Sequence, residues 1–166
     1  MARFNVATIK ALQKNLPKEG NIYNPVDVLG DAKAERFQFA LEKVLQDDNV
    51  DIVIVLLCPT AVTEPEETAK AIVKLNKKYT QKAIFAAYMG GKKIEKGSEI
   101  LSEGGVPCFT FPEPIVSCIK GMVTYSQARE GKLPMETLAF GPNCLSLDIP
   151  IINSIPLGII FWTSTP

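Results

Sequence analysis

The sequence predicts an α/β fold, a doubly wound parallel sheet between two layers of helices. Three observations carry that prediction: an almost unbroken β-branched and aliphatic run from Val50 to Leu57, a second apolar run from Ala83 to Met89, and helical periodicity between and after them with loops of two to six residues. Apolar runs of that kind belong to parallel strands covered on both faces. Short loops joining alternating strands and helices require right-handed crossovers, which gives a flavodoxin-like three-layer sandwich.

The elements follow in order. A first helix runs from about Asn5 to Asn15 and is stopped by Pro17 and Gly20. The stretch Asn21 to Gly30 is rich in turn residues and leads to Asp31, a good N-cap residue. In the second helix Phe37, Ala40, Leu41, Val44 and Leu45 recur at three- and four-residue intervals and share one face. After the central strand, Thr63-Glu64-Pro65-Glu66 fits a capping box with proline in the first turn of a helix reaching about Lys78. The second strand closes on Gly90-Gly91, and a helix from about Lys92 to Glu103 stops at Gly104-Gly105. A shorter strand, Val106 to Phe111, precedes a helix from Pro112 to about Arg129 that carries Ile115, Val116, Ile119, Met122 and Val123.

Composition then changes. All 18 basic residues have appeared by Lys132, and after Glu136 the only charged residue is Asp148. The expected organisation is therefore a domain over residues 1–131 and a charge-poor C-terminal tail over 132–166 that is not a domain of its own. Pro150 and Pro156 interrupt the apolar tail, so it offers no stretch near the ~20 residues a membrane span needs. It packs as an extended arm or leaves a sticky surface.

Charge and residue usage narrow the function. Lys plus Arg and Asp plus Glu balance at 18 each, which demotes nucleic acid and acidic membranes as partners. The sequence contains no histidine, which removes the commonest general base, the commonest metal ligand and the phosphohistidine carrier together. Cys58, Cys108, Cys118 and Cys144 stand too far apart for a zinc knuckle. The opening Met-Ala-Arg-Phe-Asn-Val has no apolar segment behind it, so a cytoplasmic location is expected, where such cysteines are small core residues.

Binding sites in doubly wound sheets lie at the carboxyl ends of the strands, here Cys58 to Thr63, Met89 to Gly91 and Phe111 to Glu113. Thr60 and Thr63 stand before a helix N-terminus that favours an anion, although capping alone accounts for Thr63, and Glu64, Glu66 and Glu67 already satisfy the dipole. Gly90 and Gly91, followed by Lys92 and Lys93, would let an acyl or phosphoryl anion approach the backbone, but they match neither a P-loop nor a dinucleotide fingerprint. Asp27 stands near Asp31, and a pair of acids could serve as base and metal ligand, yet Asx turns and N-caps use the same residues constantly. No catalytic set is complete and no metal site is read.

At Asn24 to Ala32, Asn-Pro-Val-Asp-Val-Leu-Gly-Asp-Ala resembles a motif of the NDP-forming acyl-CoA synthetases. The likeness continues in order and spacing through Phe37 to Leu41, Asp47 to Asp51, Thr63 to Glu67, Ala86 to Gly91, Gly104 to Pro107 and Phe111 to Glu113, covering about Asn5 to Arg129. The resemblance is to the flavodoxin-like subdomain of ADP-forming acetate-CoA ligases, relatives of succinyl-CoA synthetase. It implies a partial subunit or fragment that helps shape the phosphoryl and acyl-CoA site, with Thr60, Thr63, Gly90 and Gly91 contacting phosphate or acyl phosphate and Asn24, Pro25, Asp27, Gly30 and Asp31 as the structural motif.

The same resemblance places the phosphohistidine and CoA-binding domain and the ATP-grasp subunit on other chains, in a hetero-oligomer. CoA, ADP or ATP and magnesium would then belong to the assembled enzyme, and this chain alone would bind no cofactor. Pro59-Thr60-Ala61 stands where succinyl-CoA synthetases carry a Gly-Gly phosphate turn, and Gly141-Pro142-Asn143-Cys144-Leu145 is similar to a CoA-binding motif on the wrong side of this domain. The alternative is a non-catalytic interaction or regulatory module with a vestigial pocket, whose apolar tail binds a partner. Fold analogy alone adds an independent flavin-binding protein as a third reading.

Overall fold

The computed structural model describes residues 1–129 and 157–161. Ten elements follow one another: α1 (Val6–Asn15), β1 (Val26–Asp27), α2 (Ala34–Leu45), β2 (Ile52–Leu57), α3 (Pro65–Lys78), β3 (Ala83–Tyr88), α4 (Glu95–Glu103), β4 (Cys108–Phe109), α5 (Pro112–Arg129) and β5 (Leu157–Phe161). A short 3-10 turn, Gly91–Ile94, leads into α4.

The five strands form one sheet in the order β1-β5-β2-β3-β4, and every pairing is parallel. All six residues of β2 are buried. Their alternation sorts the sheet into two cores. Val53, Val55 and Leu57 of β2, with Ile84, Ala86 and Tyr88 of β3, meet Leu12 of α1, Phe37, Leu41 and Val44 of α2, Ile72 and Leu75 of α3 and Leu101 of α4. Ile52, Ile54, Leu56, Phe85 and Ala87 face the other way, onto Ile115 and Ile119 of α5. That is the three-layer, doubly wound arrangement the apolar runs predict.

Local chemistry explains the departures. The 21–30 turn stretch contains β1, two residues too short to carry a period, held by Asn21 Nδ2 donating to the Pro25 carbonyl at 2.6 Å and Asp27 N–H donating to the Asn21 carbonyl at 2.8 Å. The strand expected over Val106–Phe111 shrinks to Cys108–Phe109, because Pro107 has no N–H to give; its carbonyl still accepts from Ala86 N–H at 2.9 Å. The N-cap of α2 is Lys33 and not Asp31, whose carboxylate is drawn to Arg36. The boundary near Gly131 and the 141–145 motif lie outside the described residues. Within the segment read as a tail, Leu157–Phe161 pairs as β5 between β1 and β2.

The start of α1 is tied down from a distance. Asp47, 2% exposed, accepts from Asn5 N–H at 2.7 Å, from Asn5 Nδ2 at 3.0 Å and from Asn49 N–H at 3.0 Å. A carboxylate from the loop after α2 therefore does at the N-terminus of α1 what the side chain of Asn5, which makes no cap hydrogen bond, does not.

Candidate functional site

The carboxyl ends of β1, β2 and β3 converge through the loop that follows β2. Thr60 N–H donates to Thr63 Oγ1 at 2.9 Å, and Thr60 Oγ1 donates to the Gly30 carbonyl at 3.1 Å. The two hydroxyl oxygens lie 2.9 Å apart. Because the single Thr60 hydroxyl hydrogen goes to Gly30, Thr63 is the donor between them. Val62 N–H also points at Thr60 Oγ1, at 3.4 Å. Both hydroxyls are thus consumed in shaping the loop and joining it to the end of β1.

The expected capping box is not formed. Thr63 turns its oxygen back to Thr60 N–H, and the N-cap of α3 is Glu64, with Pro65 opening the helix. Glu64 reaches instead to the preceding helix, α2, where its Oε2 accepts from Ala34 N–H at 3.3 Å. Its charge lies at the N-terminus of α2, where the helix dipole favours it.

On the other side the loop meets β3. A Cβ on Gly90 would lie 2.5 Å from Cγ and 2.6 Å from Cδ of Pro59, so only glycine lets that ring close on the turn. Gly91 has φ +58°, the left-handed region glycine enters without cost, and open space around its Cα. Lys93 Nζ donates to the Thr60 carbonyl at 2.8 Å, so one of the two lysines expected to face an anion is spent on the loop.

On the β1 side, Asp27 Oδ1 accepts from Leu29 N–H at 2.9 Å, and Leu29 takes a positive φ of 67°. Arg36 donates to the Val28 carbonyl at 3.0 Å and grips Asp31 at 2.5 and 3.3 Å. Hydrogen bonding to that guanidinium holds the Asp31 carboxyl below its ordinary value. Asn24 Nδ2 donates to the Ala2 carbonyl at 3.0 Å, and the Asn24–Pro25 bond is cis. Asn24, Pro25 and Asp27 build the turns around β1, while Gly30 touches Thr60 and Asp31 lies one residue beyond it.

The thiols nearest the site are poor nucleophiles. Burial pushes Cys58 up, and it pushes Cys108 up against a hydrogen bond from Ser98 that works the other way. Tyr88, fully buried beneath α3 and α4, donates to the Pro65 carbonyl at 3.3 Å, and burial drives its phenol far above the usual range. Among the described residues no group of three or more carboxylates or thiols is placed to hold a metal ion. An open groove of about 350 Å³ between α2 and α3, bordered by Glu35, Gln38, Lys70 and Lys74, shares only Glu64 with the loop. No described helix is long and apolar enough to cross a membrane.

Thr60, Thr63, Gly30 and Gly90 are therefore brought together, with Gly91 and Asp31 at the margins. Pro59, Glu64, Lys93 and Arg36, which assemble these residues, were not legible as site-builders; only Pro59 beside a Gly-Gly turn one strand away offered a signal, and reading it needs the strand pairing. What the arrangement does is fix a polar backbone loop across three strand ends, a shape suited to orienting an anion or a neighbouring domain.

Comparison with known proteins places this geometry. The model of the Ligase-CoA domain family matches residues 6–134. Acetate-CoA ligase (ADP-forming) I of Archaeoglobus fulgidus is 39% identical over 127 residues, 76% of this chain and 18% of that one. 4-Hydroxybutyrate-CoA ligase (ADP-forming) of Nitrosopumilus maritimus is 33% identical over 129 residues, with 75% and 18% covered. Among solved structures, the dinucleotide-forming acetyl-coenzyme A synthetase 1 of Ca. Korarchaeum cryptofilum in complex with phosphate and ADP superposes with a TM-score of 0.72 at 26% identity, over 85% of this chain and 30% of that one. The chain thus spans under a fifth of the length of these two curated relatives.

Proposed function

The chain belongs to the Ligase-CoA domain family, and from that premise we propose that it serves as the part of an ADP-forming acyl-CoA synthetase that shapes the phosphoryl and acyl-CoA site. The observation that carries the reading is the bracing of the Thr60–Thr63 loop against Gly30 on one side and against Gly90 and Lys93 on the other, at the strand ends where doubly wound sheets bind ligands. In this reading the loop presents backbone to a phosphoryl group, and the two threonine hydroxyls hold it in shape rather than donate to the ligand.

This chain has no histidine to phosphorylate, so the reading puts the covalent carrier on another domain or chain, and it assigns the CoA site and the ATP-grasp part there as well. CoA supplies the thiol that takes the acyl group, and ADP accepts the phosphoryl group. The chain's own residues hold the loop in place beside the ligand, and the reading places no magnesium on it. The related proteins act by name on acetate and on 4-hydroxybutyrate, so the acid is assigned only as a small carboxylate. The workplace is a soluble compartment, the cytoplasm.

The test is ADP- and phosphate-dependent breakdown of acetyl-CoA by the full chain, alone and mixed with chains supplying the phosphohistidine and ATP-grasp parts. Turnover only in the mixture, lowered at least tenfold by Thr60→Val, is expected; turnover by the chain alone, or none in any mixture, sinks the proposal. A second reading, a docking module with a vestigial pocket, draws on the full internal use of both hydroxyls. It gains if the chain joins the mixture's complex while Thr60→Val leaves turnover unchanged.

A further inference from the structure

The described sheet is completed in its interior, not at its edge, by the last of its described strands. β5 pairs with β1 through Val26↔Ile160 and Asp27↔Phe161, and with β2 from Ile52↔Leu157 to Val55↔Ile160. Among the described residues β1 has a ladder to β5 alone, so without β5 it and β2 would stand two strand spacings, about 9.6 Å, apart with no hydrogen bond between them. Counted with β5 first, the strands run 2-1-3-4-5, the flavodoxin-like order; counted along the chain, the second of those positions is taken last.

We propose that the gap between β1 and β2 is a strand-acceptor slot, and that the loop after β2 keeps its tie to Gly30 only while this chain's own segment Leu157–Phe161 fills that slot. The candidate site depends on that occupant. Parallel pairing puts β5 between the strands whose following loops the Thr60 Oγ1 to Gly30 hydrogen bond joins at 3.1 Å. A slot left open frees β1, and with it Gly30, from the loop. Parallel neighbours on both sides suit an apolar segment, and Leu-Gly-Ile-Ile-Phe is one, free of charge and of proline.

The experiment is hydrogen exchange read by peptide mass spectrometry on the full chain across a hundredfold concentration range, with sedimentation to define the oligomer. In a monomer, the amides of 158–161 should be protected within tenfold of those in β2, and about 10³-fold or more over an unstructured segment. Free exchange at 158–161 beside a protected β2 overturns the proposal. So does protection that appears only as dimers form, which would make the donor a second copy. In Ile160→Pro, which takes away an N–H and adds a ring at the residue paired with both Val26 and Val55, protection at Val26 should fall at least tenfold, while Ile160→Val keeps it; wild-type protection of Val26 in the proline variant refutes the slot. The strand assignment does not rest on the ligase reading, because exchange reports the slot whether or not any mixture turns over acetyl-CoA.

Discussion

Alanine at Gly90 and alanine at Gly91 should destabilise the chain for different reasons, and Pro59 separates them. A Cβ at Gly90 meets Pro59 Cγ at 2.5 Å and Cδ at 2.6 Å, against the 3.5–4.0 Å at which carbon atoms sit comfortably, so a stiff ring must move by about 1 Å. Overpacking of that size costs about 1–3 kcal/mol. At Gly91 nothing lies within 4 Å, but φ is +58°, and forcing an L-residue there costs about 1–2 kcal/mol. The single variants should therefore look alike. The double variants should not: Pro59→Ala removes the two ring atoms in question, so Gly90→Ala and Pro59→Ala should couple by at least about 1 kcal/mol, whereas Gly91→Ala and Pro59→Ala should add to within about 0.5 kcal/mol. Urea unfolding of the six proteins measures both cycles, and thermal midpoints check them at about 2–4 °C per kcal/mol. Equal coupling in the two cycles, or none at Gly90, would refute the claim that the Gly-Gly turn is built around the Pro59 ring.

Other expectations can be checked separately. Asp47→Ala should cost about 2–4 kcal/mol in urea unfolding, since it strips a buried carboxylate from three hydrogen bonds and unties α1, whose amides should then exchange first. Glu42, held below its ordinary value by hydrogen bonding to Lys78, favours folding above a pH of about 4.5 and loses that contribution as pH falls further; Glu42→Gln should flatten this part of the pH–stability curve. At pH 8 iodoacetamide should label exposed Cys118 well before Cys58 and Cys108, whose burial keeps them protonated, and peptide mapping gives the order.

What was legible in the sequence follows the range of the interactions involved. β2 and β3 announce themselves because burial on both faces leaves continuous apolar runs, and α2 because Phe37, Ala40, Leu41, Val44 and Leu45 must share a face to reach the core. Thr63 misled because a capping box is a local template, while the oxygen that fits it is taken by Thr60 N–H and the neighbouring carboxylate caps a different helix. Two residues of β1 carry no periodic signal, and β5 sits among prolines and apolar residues without a period. Both strands are defined by their partners across the sheet rather than by their own residues.

The position of β5 bears on how the site holds its shape. The loop after β2 is anchored toward β3 by two contacts, a proline ring against a glycine and an ammonium on a carbonyl, and the strands these turns follow share the longest ladder of the described sheet. Toward β1 it is anchored by one hydroxyl on the Gly30 carbonyl, and β1 is two residues long and, among the described residues, paired to β5 alone. Any disturbance of the fifth strand should therefore loosen the site from the β1 side first and leave the Gly90–Gly91 side in place. The two halves of the site then respond to different parts of the chain: Pro59 and Lys93 to the core that β2 and β3 form, and Gly30 with Asp31 to the segment Leu157–Phe161, far away in sequence.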